Sequence, residues 1–121
     1  MHNLLELKIW NRAIELSVVV YDMVANFPSD EKYGLSSQIK RSVVSIASNI
    51  AEGAGRNSIK EFIHFLGIAN GSAYELHTQV LIASKLGLLD YEKSVEICNQ
   101  LIEIQKMIFG FQNKLRNDEL R

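Results

Sequence analysis

The apolar residues of this chain return every three or four positions almost without interruption, and the chain carries a single proline, Pro28. That pairing constrains the fold more than any motif does. A period of 3.6 residues lays apolar side chains along one face of a helix, whereas strands need alternation every two residues, which is never sustained here. With 121 residues, 47% of them hydrophobic, the chain is long enough for one domain, 1–121, to bury its own core.

The periodicity predicts four helices, over about 5–26, 31–53, 58–86 and 91–116. In the first, Ile9, Ala13, Leu16, Val20, Met23 and Phe27 form one stripe, and Leu7, Trp10, Ile14, Ser17, Tyr21 and Val24 form another beside it. Pro28 disfavours helical geometry at Phe27 and ends the helix, and Ser29 or Asp30 is expected to cap the next. In the second, Leu35, Ile39, Val43, Ile46 and Ile50 face the core, and the other side is small and polar (Ser37, Arg41, Ser45, Ser48, Glu52). Ser58 and Glu61 have capping-box spacing at the start of the third. Phe62, Leu66, Ala69, Ala73, Leu76, Val80 and Ala83 carry its core stripe. Gly87 reads as its C-terminal cap, with Lys85 in the last turn against the helix dipole. Asp90 caps the fourth, where Ile97, Leu101, Ile104, Ile108, Phe111 and Leu115 repeat beside a second stripe of Val95, Cys98, Ile102 and Phe109.

Four long helices with short connections read as an all-α, antiparallel up-down-up-down four-helix bundle. A helix in a small bundle needs one apolar face. The first and fourth each have two adjoining stripes, and the excess points to burial against another copy of the chain, with a wide core face as the plainer reading.

The bulk numbers exclude several classes. A formal charge of -1 rules out a basic coat over the whole surface but not a local patch. The one cysteine, Cys98, forms no intrachain disulfide, which suits a reducing compartment. "MHNLLELKIW" lacks the basic start and long apolar core of a secretory signal. No apolar run approaches the roughly 20 residues that span a bilayer. A cytoplasmic protein with no membrane partner is expected.

"SNIAEGAGR", Ser48 to Arg56, looks superficially like a phosphate-binding loop. It lacks the GK[ST] ending, and no strand precedes it. Gly53 and Gly55 are free to adopt positive φ, so the stretch reads as a helix-ending bend.

At this point the sequence resembles a family, the 23S rRNA intervening-sequence proteins. The resemblance rests on "LKIWNRAIEL" (Leu7 to Leu16), "FPSDEKYGLSSQIKRSVVSIASNIAEGAGR" (Phe27 to Arg56), "FIHFLGIANGSAYEL" (Phe62 to Leu76) and "ASKLGLL" (Ala83 to Leu89). It spans nearly the whole chain. Lys40 departs from it, standing beside Arg41 where the family often has two arginines. The resemblance implies an antiparallel four-helix bundle assembling as a homopentamer, with no established enzymatic activity. It also implies relatives encoded within insertions in ribosomal RNA genes, and a branch that serves diversity-generating retroelements alongside a reverse transcriptase and nucleic acid.

Between positions 32 and 60 the chain has five cations, Lys32, Lys40, Arg41, Arg56 and Lys60, against one carboxylate, Glu52. Lys40, Arg41, Arg56 and Lys60 are the candidate nucleic-acid-binding residues, contacting phosphates. The plainer reading is a solvated face in which Glu52 pairs with Arg56. No aromatics are interleaved, so base stacking gains no support. Lys106, Lys114 and Arg116 are explained by the helix dipole. Tyr33, Gly34 and Gln38 fit the family pattern in a structural role. Trp10 and Tyr21 read as core or interface residues.

"EFIH", Glu61 to His64, has the spacing of a di-iron half-site. The second such motif is missing, and Glu61 is already explained as a cap. No metal or cofactor is expected. Gly67 and Gly71 share a face and predict a close packing contact, within the bundle or between subunits, because each weakens an exposed helix by about 1 kcal/mol relative to alanine. Cys98 has no cation one turn away and reads as inert. The expectation is a non-enzymatic oligomer that binds structured RNA or a ribonucleoprotein through the basic patch. The alternative is a protein-interaction scaffold, or accessory subunit of a nucleic-acid enzyme such as a reverse transcriptase, without direct nucleic-acid binding. A metalloenzyme is the third reading.

Overall fold

The computed structural model describes residues 2–31 and 34–120. Lys32, counted in the basic balance, and Tyr33, read as structural, lie outside the described residues. After a short 3-10 turn at Leu4–Glu6, the chain forms α1 (Lys8–Val24), α2 (Leu35–Ala54), α3 (Ile59–Lys85) and α4 (Tyr91–Glu119). Among the described residues there is no strand. Each helix packs on its neighbours in sequence, and α4 returns to α1, closing an antiparallel bundle.

The core is the set of stripes read from the sequence. Leu16, Ile39, Ile46, Leu66, Leu76, Leu101 and Ile108 are fully buried. Burying each such side chain contributes about 1.5–3 kcal/mol, enough to hold helices whose outer faces contribute little. The adjoining stripes are different. In that of α1, Val24 is buried and Leu7 and Trp10 pack against the core, whereas Ile14 and Tyr21 stay exposed, as does Val18 outside the stripe at 60%; on α4, Val95, Ile102 and Phe109 stay exposed, Phe109 at 60%. Cys98 alone of its stripe is buried.

Three of the expected caps form, the Ser58–Glu61 capping box only in its Ser58 half among the described residues. Ser58 Oγ accepts from Glu61 N at 3.3 Å, and Asp90 Oδ1 accepts from Lys93 N at 2.8 Å. Gly87 has φ 78°, and the Leu88 and Gly87 N–H groups donate to the carbonyls of Ala83 and Ser84, both at 3.0 Å. This double bond pattern needs a left-handed residue, which glycine supplies without strain.

Helix starts differ from expectation where local hydrogen bonds compete. Leu5 and Glu6, read as α-helical, instead lie in the 3-10 turn Leu4–Glu6, capped by Asn3 Oδ1 accepting from Leu5 N, and Leu7 is extended, so α1 begins at Lys8. Ser29–Glu31 form a second 3-10 turn, so neither Ser29 nor Asp30 caps α2. Gly34 occupies the cap position, and Glu31 Oε1 accepts from Leu35 N at 3.4 Å. α4 runs three residues past the expected end, to Glu119.

Candidate functional site

The α2–α3 bend explains its glycines differently from the sequence. Gly53 lies inside α2, and neither it nor Gly55 has positive φ. A Cβ on Gly53 would stand 2.8 Å from Phe62 Cδ1 and 2.9 Å from Phe65 Cβ. Gly53 is therefore required by close approach of α3. Gly71, for which a packing contact was expected, has nothing within 4 Å of a built Cβ, and Gly67 has only Gln112 Nε2 at 3.6 Å. Within the bundle neither glycine is needed for contact.

The four candidate cations do not form one surface. Successive helical residues point about 100° apart, so Lys40 and Arg41 leave α2 on opposite flanks. Lys40 Nζ lies over the Tyr21 ring of α1 at 5.4 Å. Arg41 lines a cleft against α3. Arg56 is roughly 20 Å farther along, at the bend. Its Nη2 is 3.7 Å from Glu52 Oε1, its Nη1 is 3.5 Å from Glu61 Oε1, and its guanidinium sits 4.9 Å over Phe65. The expected Glu52–Arg56 pair thus exists, and the Glu61 carboxylate turns to Arg56. Lys60 is exposed in the first turn of α3. Among the described residues, Lys60 and Arg41 have no ion-pair partner. Lys106 lies mid-helix, facing a groove between α3 and α4, so the dipole account fits Arg116 in the last turn but not Lys106.

A cleft of about 570 Å³ opens between α2 and α3, lined by Gln38, Arg41, Ser42, Ser45, Glu75 and Gln79. The small polar side of α2 forms one wall. Glu75 and Gln79, four apart on α3, form the other, with Ser72 one turn earlier bonded to Ser45. Their spacing among apolar neighbours was the signal available in the sequence. Ser42 Oγ donates to Glu75 Oε1 at 2.6 Å, the Ser45 and Ser72 hydroxyls are 2.8 Å apart, and Asn49 Nδ2 donates to Ser45 O at 2.8 Å. These bonds fix the floor on two rigid helices. Gln79 is 8% exposed, and its Oε1 has no hydrogen-bond partner among the described residues.

On the other flank of α3, Tyr74, Ile102 and Phe109 border a groove that also contains Asn70, Gln105 and Lys106. Asn70 Oδ1 and Gln105 Nε2 are buried there without partners among the described residues. Among the described residues, no three His, Cys, Asp or Glu side chains are grouped to hold a metal, and His64 is exposed. Burial pushes the Cys98 thiol above its ordinary pKa, which lowers its thiolate fraction and reactivity. No helix among the described residues is long and apolar enough to cross a membrane.

A closed antiparallel bundle with its polar groups gathered in an interhelical cleft, and apolar residues on two outer faces, defines a helical protein of the four-helix-bundle class. The chain belongs to the 23S rRNA-intervening sequence protein family, whose sequence profile matches residues 5–110. It is similar to the crystal structure of a protein of unknown function from the S23 ribosomal protein family of Bacteroides thetaiotaomicron. That likeness has 25% identity and a TM-score of 0.81, and covers 87% of this chain and 95% of that one. No curated protein matches the chain.

Proposed function

We propose that the chain is a non-enzymatic scaffold that works as an assembly of its own copies in the cytoplasm. The observation that carries this is the pair of apolar faces on opposite sides of the bundle. Ile14, Val18, Tyr21 and Val44 lie exposed toward the α1–α2 side, and Tyr74, Ile102 and Phe109 toward the α3–α4 side. Two different faces pointing in opposite directions suit head-to-tail association, which closes into a ring when the rotation allows. The family resemblance supplies the number five.

Light scattering on the purified protein tests this. A mass that is a multiple of the chain, reduced toward the single chain by Phe109→Asp or Val18→Asp with helicity unchanged, is the expected outcome. A wild-type monomer at tens of micromolar ends the proposal.

A second reading, that the assembly holds structured RNA, is favoured by Arg41, which is exposed and has no carboxylate partner among the described residues. Lys40, Arg56 and Lys60 would add phosphate contacts, repeated by symmetry. Anisotropy of labelled RNA hairpins over a salt series should show affinity falling steeply with salt and weakening with Arg41→Glu. Flat curves at low salt remove this reading and leave a protein partner, such as a nucleic-acid enzyme, as the cargo.

A further inference from the structure

We infer that the α2–α3 cleft holds the edge of an unpaired guanine base in RNA, an inference that rests on the RNA reading above. The cleft's chemistry is asymmetric. From α2 it offers Arg41, a planar fork of N–H donors with no carboxylate partner among the described residues. From α3 it offers an acceptor, the Glu75 carboxylate, with Gln79 one turn beyond it.

The Glu75 carboxylate accepts a single described side-chain hydrogen bond, from Ser42, and has lone pairs to spare. Gln79 beside it is more than nine-tenths buried, and its enclosed Oε1 has no donor among the described residues. A buried carbonyl oxygen without a partner is rare in folded proteins and marks a place where a donor is missing.

The missing group must therefore bring donors to the α3 wall and acceptors to the α2 wall. It must also be near neutral, because Arg41 opposes a cation and Glu75 opposes an anion. An apolar helix is excluded, since the walls are serine, glutamine and charged side chains. Among the bases, guanine has two adjacent donors, N1–H and the N2 amine, on one edge and two adjacent acceptors, O6 and N7, on another. The Arg41 fork matches O6 and N7, as it does in direct readout of DNA. The two oxygens of the Glu75 carboxylate match the two donors, N1–H and the N2 amine. Adenine, cytosine and uracil each lack one of these pairs.

A base can reach this cleft only when splayed from a loop or bulge, which is where sequence-specific RNA recognition concentrates. Binding is by edges alone, because no aromatic ring lines the cleft among the described residues. Each site is accordingly weak, and affinity depends on repeated copies.

The test uses anisotropy at low salt with the purified full chain and three labelled hairpins that share a stem. Their loops carry a single guanine, inosine or adenine among uridines. Guanine should bind on the order of tenfold tighter than adenine, with inosine, which lacks the N2 amine, between them. Glu75→Gln should erase the preference while keeping the salt-dependent background, and circular dichroism should show its helicity intact. Equal affinity for the three loops, or a guanine preference that survives Glu75→Gln, overturns the guanine assignment and leaves the RNA reading standing. Failure of all three hairpins to bind overturns both.

Discussion

The two flanks of α3 are built on opposite plans. Toward α2, the helices touch closely at one end, where Gly53 admits Phe62 and Phe65, and then part into a cleft whose polar groups mostly satisfy one another. Toward α4, Tyr74, Ile102 and Phe109 stand open around two amide atoms that have no partner among the described residues. The first flank is finished within one chain, save for Arg41 and the Gln79 oxygen. The second is not. Demand for a macromolecular partner is therefore concentrated on the α4 flank, and demand for a small polar group on the α2 flank.

Three substitutions press on that contrast, each followed by urea unfolding at one fixed protein concentration, because association adds to apparent stability. Gly53→Ala should cost about 1–3 kcal/mol, because its Cβ meets the Cβ of Phe65 and helix backbone rather than a flexible tip. A neutral result would show that the α2–α3 contact yields easily. Ser42→Ala should cost about 0.5–1.5 kcal/mol by removing the donor to Glu75. No change would mean that water replaces the hydroxyl and the cleft floor is not fixed. Gly71→Ala should stabilise by up to about 1 kcal/mol, the helix-propensity difference, since open space surrounds the site. Destabilisation would place Gly71 against a second copy of the chain and sharpen the case for a partner beside α3.

Much of the fold was legible in the sequence because burial and period coincide. The stripe through Leu66, Ala73 and Leu76 is the buried face of α3, and Asp90 and Gly87 mark ends by local chemistry alone. The doubled stripe of α1 was legible as well, and the structure shows which half the bundle itself uses. The reason for Gly53 was not legible, because it depends on two phenylalanines brought close only by the bend. The start of α2 was obscured by the Glu31 side chain, which bonds the helix from outside it.

The candidate site was read less well than the fold. Lys40 and Arg41 are neighbours in sequence and belong to different helix interfaces, a separation that 100° per residue dictates. Counting charge along the chain joined what the helix divides. The cleft lay half in view, as the small polar side of α2. Its other wall, Glu75 and Gln79, became visible only when the two helices were set side by side.

The close seat of Phe62 and Phe65 on Gly53 also bears on how the chain folds. α2 and α3 are consecutive, they share the most extensive helix–helix contact in the molecule, and only four residues separate them. Loop closure is least costly for near neighbours, and domains rich in local contacts fold fastest. The α2–α3 hairpin is the natural first unit to form, with α1 and α4 docking onto it. Amide hydrogens at the centres of α2 and α3 should then exchange last, and those of α1, whose contact with α4 is the smaller of its two helix contacts, should exchange sooner.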